Sequence, residues 1–517
     1  MDFNKRNLIK AFMYTCASLP LAKVYSKPSI PRNEYFFPVD KLIYKATHKI
    51  TYAELKTLQP EEGDFYITYE PNHPNLYSDL YIAYRDKKKI SQDNTTSAHN
   101  GLTWLKVDYD FTLEDFGAIS NPEIDSTAFI QAAFSSGLKL TSKTDGEYLL
   151  KDTIFIENIP WYFQGAGMSK TVFFINHFKH AFVFGSPKPS DVKYPVNLKG
   201  FTIKRLDGSL YKGTAGAKGL YIGNGLNVNL SYIEECYGLG YGLHIDYSDQ
   251  ITVSHCHIHD HKGMAAGAAG TDGIHFYRSK NINAFNNLIH DIGDDALSAG
   301  SFDINYPVKN VIFKNNTIYS TKGGIKFYSF VQDAIVQANR LVGCREGGVY
   351  LTDDKNSPDN SLVENIVIKN NSFNFIGVFG KSDEAGALRI RFWPKVNIGS
   401  KVKNIVFSNN EILNSRLGIS ELAYNDNKRL SNLYILKNKF SFDKKKHVGI
   451  IKNHYITITQ CDNDFVIKDN DFITHVENVL IINDKFSSVS DMNISTNNNF
   501  IDGNYENKIS IKIVSSN

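Results

Sequence analysis

The chain has 517 residues, of which 42% are apolar and 21% are charged, and this balance predicts a globular rather than a disordered protein. Its 57 basic and 54 acidic side chains leave a formal charge of +3. Nucleic acids and anionic membranes call for a concentrated basic face, so this balance argues against both as extended partners.

The first 30 residues predict a leader or an anchor segment. Lys5 and Arg6 precede a mildly apolar run from Ala11 to Ala22, which is similar to a twin-arginine export signal. The alternative is a short amphipathic anchor helix that is never cleaved. The run is too short to cross a bilayer, so we expect no membrane span.

Residues 31–110 predict a small β-rich module. The segments 65–69 and 80–84 alternate as strands do. No motif in this stretch indicates a chemical reaction. We therefore expect it to attach the protein to something else.

The segment 111–197 predicts the opening and cap of a larger domain. Asp115-Phe116-Gly117-Ala118 is followed by the stretch from Asp125 to Ala133, in which Asp125 or Ser126 can cap a short helix. The apolar face of that helix consists of Phe129, Ile130 and Ala133. Such a helix can cover a first strand whose backbone would otherwise be unpaired.

From about residue 198 onward a short phrase recurs, roughly N-x-x-I-x-x-N-x-[IF], as in the segments 310–318, 365–373, 404–412 and 432–440. The closing apolar positions, among them Ile318, Leu341, Phe373 and Ile412, follow one another at unequal intervals. Repeats of roughly 20–50 residues predict a solenoid, because each one is too small to bury its own apolar face and must stack on its neighbours.

The series D-F-G-A, D-x-T, Q-A, G-x-Y and G-x-G between residues 115 and 167 resembles the pectate-lyase superfamily. That superfamily includes bacteriophage tailspike depolymerases and secreted polysaccharide lyases and hydrolases. The resemblance implies an all-β fold, a right-handed single-stranded parallel β-helix, behind the small N-terminal module. The expected divisions are 1–30, 31–110, 111–197 and 198–517, the last being the β-helix body with a catalytic groove.

One strand of each coil predicts a column of outward side chains. The third residue of each aligned segment is expected to face solvent. The segments begin at Gly242, Gly273, Asp295, Gly324, Gly348, Ala387 and Gly418. The column then consists of His244, His275, Leu297, Lys326, Tyr350, Arg389 and Ser420. We expect it to line a saccharide groove, with an ordinary solvated sheet face as the alternative. The predicted substrate-binding residues are His244, His275, Lys326, Tyr350, Arg389 and Arg391.

Asp272, Asp294 and Asp295 are the candidate catalytic residues. Thr271-Asp272-Gly273 and Gly293-Asp294-Asp295 precede neighbouring strands, and the alignment makes Asp272 and Asp294 equivalent. Three carboxylates so close cannot all ionise easily, so at least one pKa should rise, as acid–base hydrolysis requires. The alternative is turn chemistry, for which Asp next to Gly is common. Asp353, Asp354 and Glu384 are second candidates.

The same motifs resemble the N-T-D and D-D motifs of polygalacturonases. This resemblance implies that Asp294 is the general acid, that Asp272 and Asp295 activate water, and that Lys326 binds a substrate carboxylate. The first Asn of N-T-D is missing here, and no G-H-G motif occurs.

His255, His257, His259 and His261 alternate along one predicted strand, which places all four on one face. We expect a surface or groove-edge role, since strand spacing plus one Asp is not a standard ligand set, and we predict neither a metal nor a cofactor. The five cysteines are scattered and predict buried free thiols.

These patterns predict a tailspike depolymerase that hydrolyses a bacterial surface (capsular) polysaccharide, attached to a virion baseplate or tail by the N-terminal module. By the same resemblance we expect a homotrimer. The alternatives are a β-eliminating lyase for uronic-acid glycans that uses Lys326, Tyr350, Arg389 or His275, an exported, secreted or periplasmic, pectinase-like enzyme, and a non-catalytic glycan-binding adhesin.

Overall fold

The computed structural model describes residues 38–70, 76–84, 95–97, 102–107, 110–142, 144–157, 159–206, 216–261, 270–393, 399–423, 429–441, 454–459, 461–473, 478–482, 493–501 and 511–513. The predicted leader, residues 1–30, lies outside these ranges. No helix within them is both long and apolar enough to cross a membrane.

A small five-stranded sheet precedes the solenoid, with the strand order β1-β2-β3-β5-β4. Its elements are α1 Val39–Thr47, β1 Ile50–Thr51, α2 Tyr52–Leu55, β2 Phe65–Tyr69, β3 Asp79–Tyr84, β4 Thr95–Ser97 and β5 Thr103–Lys106. Phe65, Ile67, Leu80 and Ile82 are buried on one face, in the same apolar core as the beginning of the solenoid. The sheet is therefore packed against the solenoid rather than tethered to it.

A helix covers the first turn of the solenoid, as the sequence predicts. This opening consists of a 3-10 turn Glu114–Phe116, β6 Asn121–Asp125, α3 Thr127–Ser135, β7 Lys139–Thr141, β8 Gly146–Leu150, β9 Ile154–Ile156, β10 Trp161–Gln164, β11 Thr171–Ile175 and β12 Phe182–Phe184. Ser126 occupies the N-cap position of α3 without a side-chain cap bond, and Asp125 Oδ1 accepts a hydrogen bond from the first N–H of the helix, that of Thr127, at 3.0 Å. Ile130 and Ala133 are buried, Phe129 packs at the edge of the core, and Phe134 meets the ring of Trp161 at 5.3 Å.

Gly117, which follows the 3-10 turn, is required by both conformation and space. Its φ is 90°, and a Cβ at this position would lie 2.9 Å from Val39 Cγ1 and 3.0 Å from the ring of Phe129. Any other residue would push α1 and α3 apart.

The solenoid contains β6 to β40, 35 strands in which every ladder runs parallel to the strand one coil away. The remaining strands are β13 Tyr194–Arg205, β14 Leu220–Gly223, β15 Gly225–Cys236, β16 Leu243–Asp246, β17 Asp249–Ser254, β18 His257–His259, β19 Ile274–Tyr277, β20 Lys280–Phe285, β21 Leu288–His290, β22 Asp295–Ser301, β23 Val308–Lys314, β24 Thr317–Tyr319, β25 Gly323–Gln337, β26 Arg340–Val342, β27 Gly347–Thr352, β28 Leu362–Lys369, β29 Ser372–Asn374, β30 Gly386–Arg391, β31 Lys401–Ser408, β32 Glu411–Leu413, β33 Leu417–Leu422, β34 Arg429–Leu436, β35 Lys439–Ser441, β36 His454–Ile458, β37 Asp462–Ile473, β38 Asn478–Ile482, β39 Asn493–Ile501 and β40 Ile511–Ile513.

Each coil in the middle of the solenoid has three strand positions, for example β16, β17 and β18, which pair with β19, β20 and β21 of the next coil. We call them the first, second and third strands of a coil. The predicted parallel β-helix behind a small β module is confirmed. The division of the chain into domains at residues 30, 110 and 197 stays a prediction.

The second Asn of the repeated phrase forms a buried ladder along the solenoid. Its members are Asn287, Asn316, Asn339, Asn371, Asn410, Asn438 and Asn470. In each step the backbone N–H and the side-chain amide donate to the Asn Oδ1 of the next coil, for example from Asn339 to Asn371 at 2.8 and 3.0 Å. A turn between strands thus enters the core with its polar groups paired.

The first Asn of the phrase forms a second ladder on the surface. Asn365 and Asn404 have φ near 58°, a left-handed conformation that Asn tolerates better than most residues. Asn404 Nδ2 donates to Asn365 Oδ1 at 2.9 Å. The two asparagines of the repeat therefore have separate causes, one being backbone conformation and the other burial.

The four described cysteines, Cys236, Cys256, Cys344 and Cys461, are buried free thiols, as expected. Cys16 lies outside the described residues.

Candidate active site

The first strands of successive coils align one column of polar side chains, and the pairing corrects the predicted register at one rung. His275 pairs with Ser298 and Ser298 with Lys326, whereas Leu297 pairs with Ile274 and faces the core. Ala296, and not Asp295, is therefore equivalent to Gly273 and Gly324, so the strand is aligned one residue later than predicted. The prediction of Leu297 as an outward residue was wrong, and Ser298 takes its place.

The remaining predicted rungs align as expected, from His244 through His275 and from Lys326 through Tyr350 and Arg389 to Ser420. Tyr221 precedes His244 in the same column. His244, His275, Tyr350 and Arg389 are less than a tenth exposed, so this is a covered column and not a solvated sheet face. Aromatic rings from the flanking turns lie over it, with Tyr241 4.6 Å from the ring of His275.

The three candidate carboxylates converge at the turns that lead into β19 and β22. Asp272, Asp294 and Asp295 each offer a carboxylate oxygen, and these oxygens all lie within 4.8 Å of one another. The Gly242 N–H donates to Asp272 O and the Gly273 N–H donates to Asp295 O, which makes Asp272 and Asp295 the equivalent positions on adjacent coils. The predicted equivalence of Asp272 and Asp294 was wrong by one residue, because it sets the alignment of β22 one residue too early.

Each of these carboxylates has a different partner. Asp272 Oδ2 lies 2.6 Å from His275 Nδ1. Asp294 accepts hydrogen bonds from Lys322 Nζ at 2.9 Å and from the Gly270 N–H at 3.0 Å. Asp295 has its Oδ2 3.6 Å from Lys326 Nζ.

The environment moves the pKa values of the adjacent pair in opposite directions. Burial raises the pKa of Asp295 well above its usual range, and the charges of Asp294 and Asp272 raise it further, against the attraction of Lys326. Burial also acts to raise the pKa of Asp294, but Lys326, Lys322 and the Gly270 N–H outweigh it and lower that pKa. Asp295 therefore holds a proton more tightly than Asp294 does, and the two carboxyls differ in their readiness to ionise.

His275 connects the carboxylates to a tyrosine that the sequence did not indicate. While Nδ1 faces Asp272, Nε2 lies 2.9 Å from the hydroxyl of Tyr328. Tyr328 lies at the end of the first-strand part of β25, where no repeat pattern marks it. Burial raises its pKa well above the ordinary value, so the hydroxyl keeps its proton and donates to Nε2.

His244 lies one coil before His275 and stacks on it at 5.0 Å. Within the described part of the chain neither of its ring nitrogens has a hydrogen-bond partner, although the side chain is buried. Burial, together with the charge of His275, lowers its pKa well below the usual value. A neutral imidazole with two unpaired nitrogens beside the carboxylates suits the hydroxyl groups of a sugar.

Lys326 is held between carboxylates. Its Nζ lies 3.0 Å from Asp354 Oδ2 and 3.6 Å from Asp295 Oδ2. Burial would lower its pKa, but Asp295, Asp354 and Asp294 raise it well above the usual value, so the ammonium stays charged. Asp354, a second candidate from the sequence, therefore belongs to the same charged group.

The predicted arginines have internal partners. Arg389 is 2% exposed and donates to Glu346 O, Ser382 Oγ and Glu384 Oε2 at 3.0 to 3.1 Å. Arg391 lies over the ring of Trp393 at 4.4 Å. Asp353 is buried and accepts from the Trp393 N–H at 2.8 Å. The substrate-binding role of Arg389, Arg391 and Tyr350 stays a prediction.

The histidine alternation is broken in the structure. His255 and Asp260 both have left-handed backbones, with φ of 55° and 58°, so the strand lasts only from His257 to His259. His261 turns inward and bonds to the buried Glu235. The prediction that all four histidines share one face was wrong, because two turns reset the alternation.

Two groups of side chains within the described ranges have donor atoms close enough to hold a metal: the three aspartates, and His257 with His259 and His290. The aspartates face the ammonium groups of Lys322 and Lys326 and the ring of His275.

Comparison with known proteins supports the fold. Residues 196–373 match the family model described as a right-handed β-helix region. No curated protein sequence matches the chain.

Two solved structures superpose on most of the chain. The catalytic unit of a thermostable GH87 α-1,3-glucanase from Streptomyces thermodiastaticus strain HF3-3 has a TM-score of 0.54 at 17% identity, covering 79% of this chain and 74% of that one. The A-module of the mannuronan C-5 epimerase AlgE6 from Azotobacter vinelandii has a TM-score of 0.50 at 14% identity, covering 76% and 100%. A tailspike protein of an Escherichia coli O157:H7 bacteriophage has a TM-score of 0.41 at 13% identity, covering 76% of this chain and 51% of that one. At these identities the likeness concerns the fold, and the chain folds as a right-handed parallel β-helix.

Proposed function

We propose that the chain is a polysaccharide depolymerase that hydrolyses glycosidic bonds at Asp272, Asp294 and Asp295. One observation carries the proposal, namely three carboxylates within 4.8 Å of one another, two of which have pKa values shifted in opposite directions. Hydrolysis of an acetal needs a proton for the leaving oxygen and a base for the incoming water, and this group supplies both near neutral pH.

The proton is best described as belonging to the Asp294–Asp295 pair. Asp294 has the most exposed side chain of the three, at 15% against 8% for Asp295 and 4% for Asp272, so it is the member most open to a substrate. The resemblance to polygalacturonases makes Asp294 the acid, whereas burial places the resting proton on Asp295. A proton passed between adjacent carboxyls reconciles the two, with Asp272 and the remaining charged partner activating water.

The residues around the trio suit a sugar. His244 offers unpaired nitrogens, and the ring of Tyr241 lies 4.9 Å from that of His244 and 4.6 Å from that of His275, where it adds an aromatic surface to the site. Lys326 remains cationic and lies in the same column, where it can attract a substrate carboxylate. These contacts favour an acidic polysaccharide as the substrate class.

The lyase alternative loses most of its predicted bases. Burial raises the pKa of Tyr350, and the pKa of Lys326 is raised by its carboxylates, so neither releases a proton near neutral pH. Arg389 is tied to Glu384. Of the predicted bases, His275, between Asp272 and Tyr328, is the one placed to take a proton in such a reaction.

The test is a digest of bacterial capsular polysaccharides, pectin and alginate in which reducing ends and ultraviolet absorbance are followed together. New reducing ends without absorbance support hydrolysis, whereas a rise in both identifies elimination. The triple variant Asp272→Asn, Asp294→Asn and Asp295→Asn should abolish cleavage. Glu411→Gln, on an exposed pair with Lys439, is the matched control and should leave the rate unchanged.

Two further results would contradict the proposal. If the wild type and the triple variant bind a glycan equally and neither cleaves it, the protein is an adhesin. If EDTA stops cleavage at a temperature where the chain stays folded, a cation rather than the carboxyl proton acts in the site.

We further propose that this depolymerase is a trimeric phage tailspike acting on a bacterial surface polysaccharide, with the N-terminal module facing the virion. The support is the motif resemblance and a module that packs closely on the capped end of the solenoid. Light scattering that gives a monomer would remove the trimer. Cleavage after Ala22, seen by mass spectrometry of the N-terminus, would favour the exported enzyme instead.

A further inference from the structure

Three imidazoles meet on the third strands of two neighbouring coils, away from the carboxylate column. His257 and His259 lie on β18, and His259 pairs with His290 on β21. One nitrogen from each ring lies within 4.8 Å of the others, and the Nε2 atoms of His257 and His290 are 2.9 Å apart. All three side chains are partly buried, between 14% and 27% exposed, and none belongs to the proposed hydrolytic site.

A carboxylate from the preceding coil borders the three histidines. Glu234 on β15 has its Oε1 3.3 Å from His259 Nε2 and 3.8 Å from His257 Nδ1. Its other oxygen accepts hydrogen bonds from Thr202 Oγ1 at 2.7 Å and Ser169 Oγ at 3.2 Å, which hold the side chain in place. The four side chains thus come from three successive coils.

Two further carboxylates orient the rings. Asp260 Oδ2 lies 2.8 Å from His259 Nδ1, and Asp291 Oδ2 lies 2.7 Å from His290 Nδ1. In both rings Nδ1–H donates a hydrogen bond to a carboxylate, and Nε2 faces the middle of the group. A carboxylate behind an imidazole is the usual arrangement behind a metal-binding histidine, because it fixes the tautomer and raises the basicity of the free nitrogen.

We propose that His257, His259 and His290 bind a divalent transition-metal ion of the zinc class, with Glu234 beside them. Three imidazoles are a standard donor set for a zinc ion that keeps one position open, and neighbouring nitrogens around a tetrahedral ion at 2.0–2.1 Å lie about 3.3 Å apart, close to the 2.9 Å between His257 and His290. Because the donors come from β18 and β21, the ion would join two coils.

The sequence alone favoured a surface role for these histidines. Strand alternation provides only His257 and His259, and the third ring, that of His290, arrives from the next coil along the chain. His255 stacks on Tyr232 at 4.8 Å and takes no part, although it lies in the same sequence run.

The test uses the untagged full-length chain, stripped with a chelator and titrated with Co²⁺ and then with Zn²⁺ in competition. We expect one equivalent of Co²⁺ with the visible absorption of a tetrahedral site, displaced by Zn²⁺, and a rise in Tm with Zn²⁺. His290→Gln should weaken binding at least 100-fold and remove the rise in Tm. Asp291→Asn should weaken it about 10-fold or more, because loss of an orienting carboxylate has this effect in metal sites.

His255→Gln is the matched control and should bind as the wild type does. Equal binding by the wild type and His290→Gln, or no saturable equivalent in the wild type, would overturn the proposal and leave a hydrogen-bonded histidine cluster. If His290→Gln does not fold, Asp291→Asn, whose side chain is half exposed, decides the question. None of these readouts depends on cleavage of a polysaccharide.

Discussion

The buried asparagine ladder and the first-strand column solve the burial of polar groups in opposite ways within the same coils. In the ladder, one residue type recurs and each amide is paired identically with the next, as from Asn339 to Asn371 and on to Asn410. In the column almost every rung differs, with His275, Ser298, Lys326 and Tyr350 in succession. The repeated asparagine therefore stabilises the fold, whereas the varied side chains of the column form the candidate active site.

The column also buries ionisable and unpaired polar groups, which is unfavourable, and the ladder does not. Asp295 holds a proton it would lose in water, and His244 has nitrogens without partners among the described residues. Neutral, fully paired amides have no such cost. Substitutions in the column should therefore change the cleavage rate, and substitutions in the ladder should change the stability of the fold.

The largest expected effect is the loss of cleavage in Asp295→Asn. An amide cannot donate the carboxyl proton, so the rate should fall about 10³-fold, within the range of general acid–base catalysis. The urea midpoint should stay the same or rise, because the variant replaces a buried carboxyl, whose ionisation burial makes unfavourable, by a neutral amide. Rates on the digested polysaccharide and urea unfolding of the same preparation check this, and an unchanged rate would contradict the assignment.

Asn371→Ala should act on stability instead. It leaves the N–H and amide of Asn339 without their acceptor and Val336 O without its donor, so we expect a loss of about 2–4 kcal/mol. Asn365→Ala, on the surface ladder of the same coil, is the control and should cost about 1 kcal/mol or less. The rate per folded molecule should be unchanged in both. Equal urea midpoints for the two variants would mean that the buried ladder has no special role.

The cleavage rate should depend on pH in a bell shape. Because the pKa of Asp295 is raised, its proton is lost as pH rises through that value, and the rate should then fall about tenfold per unit. Because the pKa of Asp294 is lowered, its charge is lost only in strong acid, which sets the lower limit. The profile of kcat/KM tests this, and a rate that rises steadily toward alkaline pH would exclude a carboxyl acid.

The raised pKa of Asp295 also makes the stability of the fold depend on pH. The folded chain binds the Asp295 proton more tightly than the unfolded chain, so this group favours folding at low pH. Its contribution is lost as pH rises through the raised folded pKa. Asp295→Asn should therefore flatten the decline of the urea midpoint with rising pH.

The smallest effect is expected for Tyr328→Phe. It removes one hydrogen bond to His275 Nε2, worth about 1 kcal/mol, so the rate should fall less than tenfold. A change confined to kcat, with KM unaltered, would identify Tyr328 as a positioning residue. Tyr434→Phe, which loses an exposed hydrogen bond to Asp464, is the control and should change nothing.

Several residues show how far pattern reasoning reaches. The repeat predicted the solenoid, and the stretch from Asp125 to Ala133 predicted the cap helix, because both depend on contacts close in sequence or repeated along the chain. The crowding of Asp272, Asp294 and Asp295 predicted that one pKa would rise, and it is Asp295 that carries the shift.

The errors have two causes. Leu297 is predicted outward and Asp294 is matched to Asp272 because β22 has Ala296 where the neighbouring coils have Gly273 and Gly324, so no glycine marks the start of the strand and the alignment is set one residue too early. The four histidines are predicted on one face because alternation is counted through His255 and Asp260, whose left-handed backbones reset the count. Alternate residues of a strand lie on the same face only while the backbone stays extended.

By itself, the sequence determined the architecture, the cap and the approximate place of the three carboxylates, since these follow from local periodicity and from residues that recur at coil spacing. Only the tertiary structure decided which side chains meet across coils. It brought Tyr328 to His275, Lys322 to Asp294 and His290 to His257. The reason is that a solenoid sets neighbours through the length of each coil, and coils of unequal length place partners at separations along the chain that no single pattern reveals.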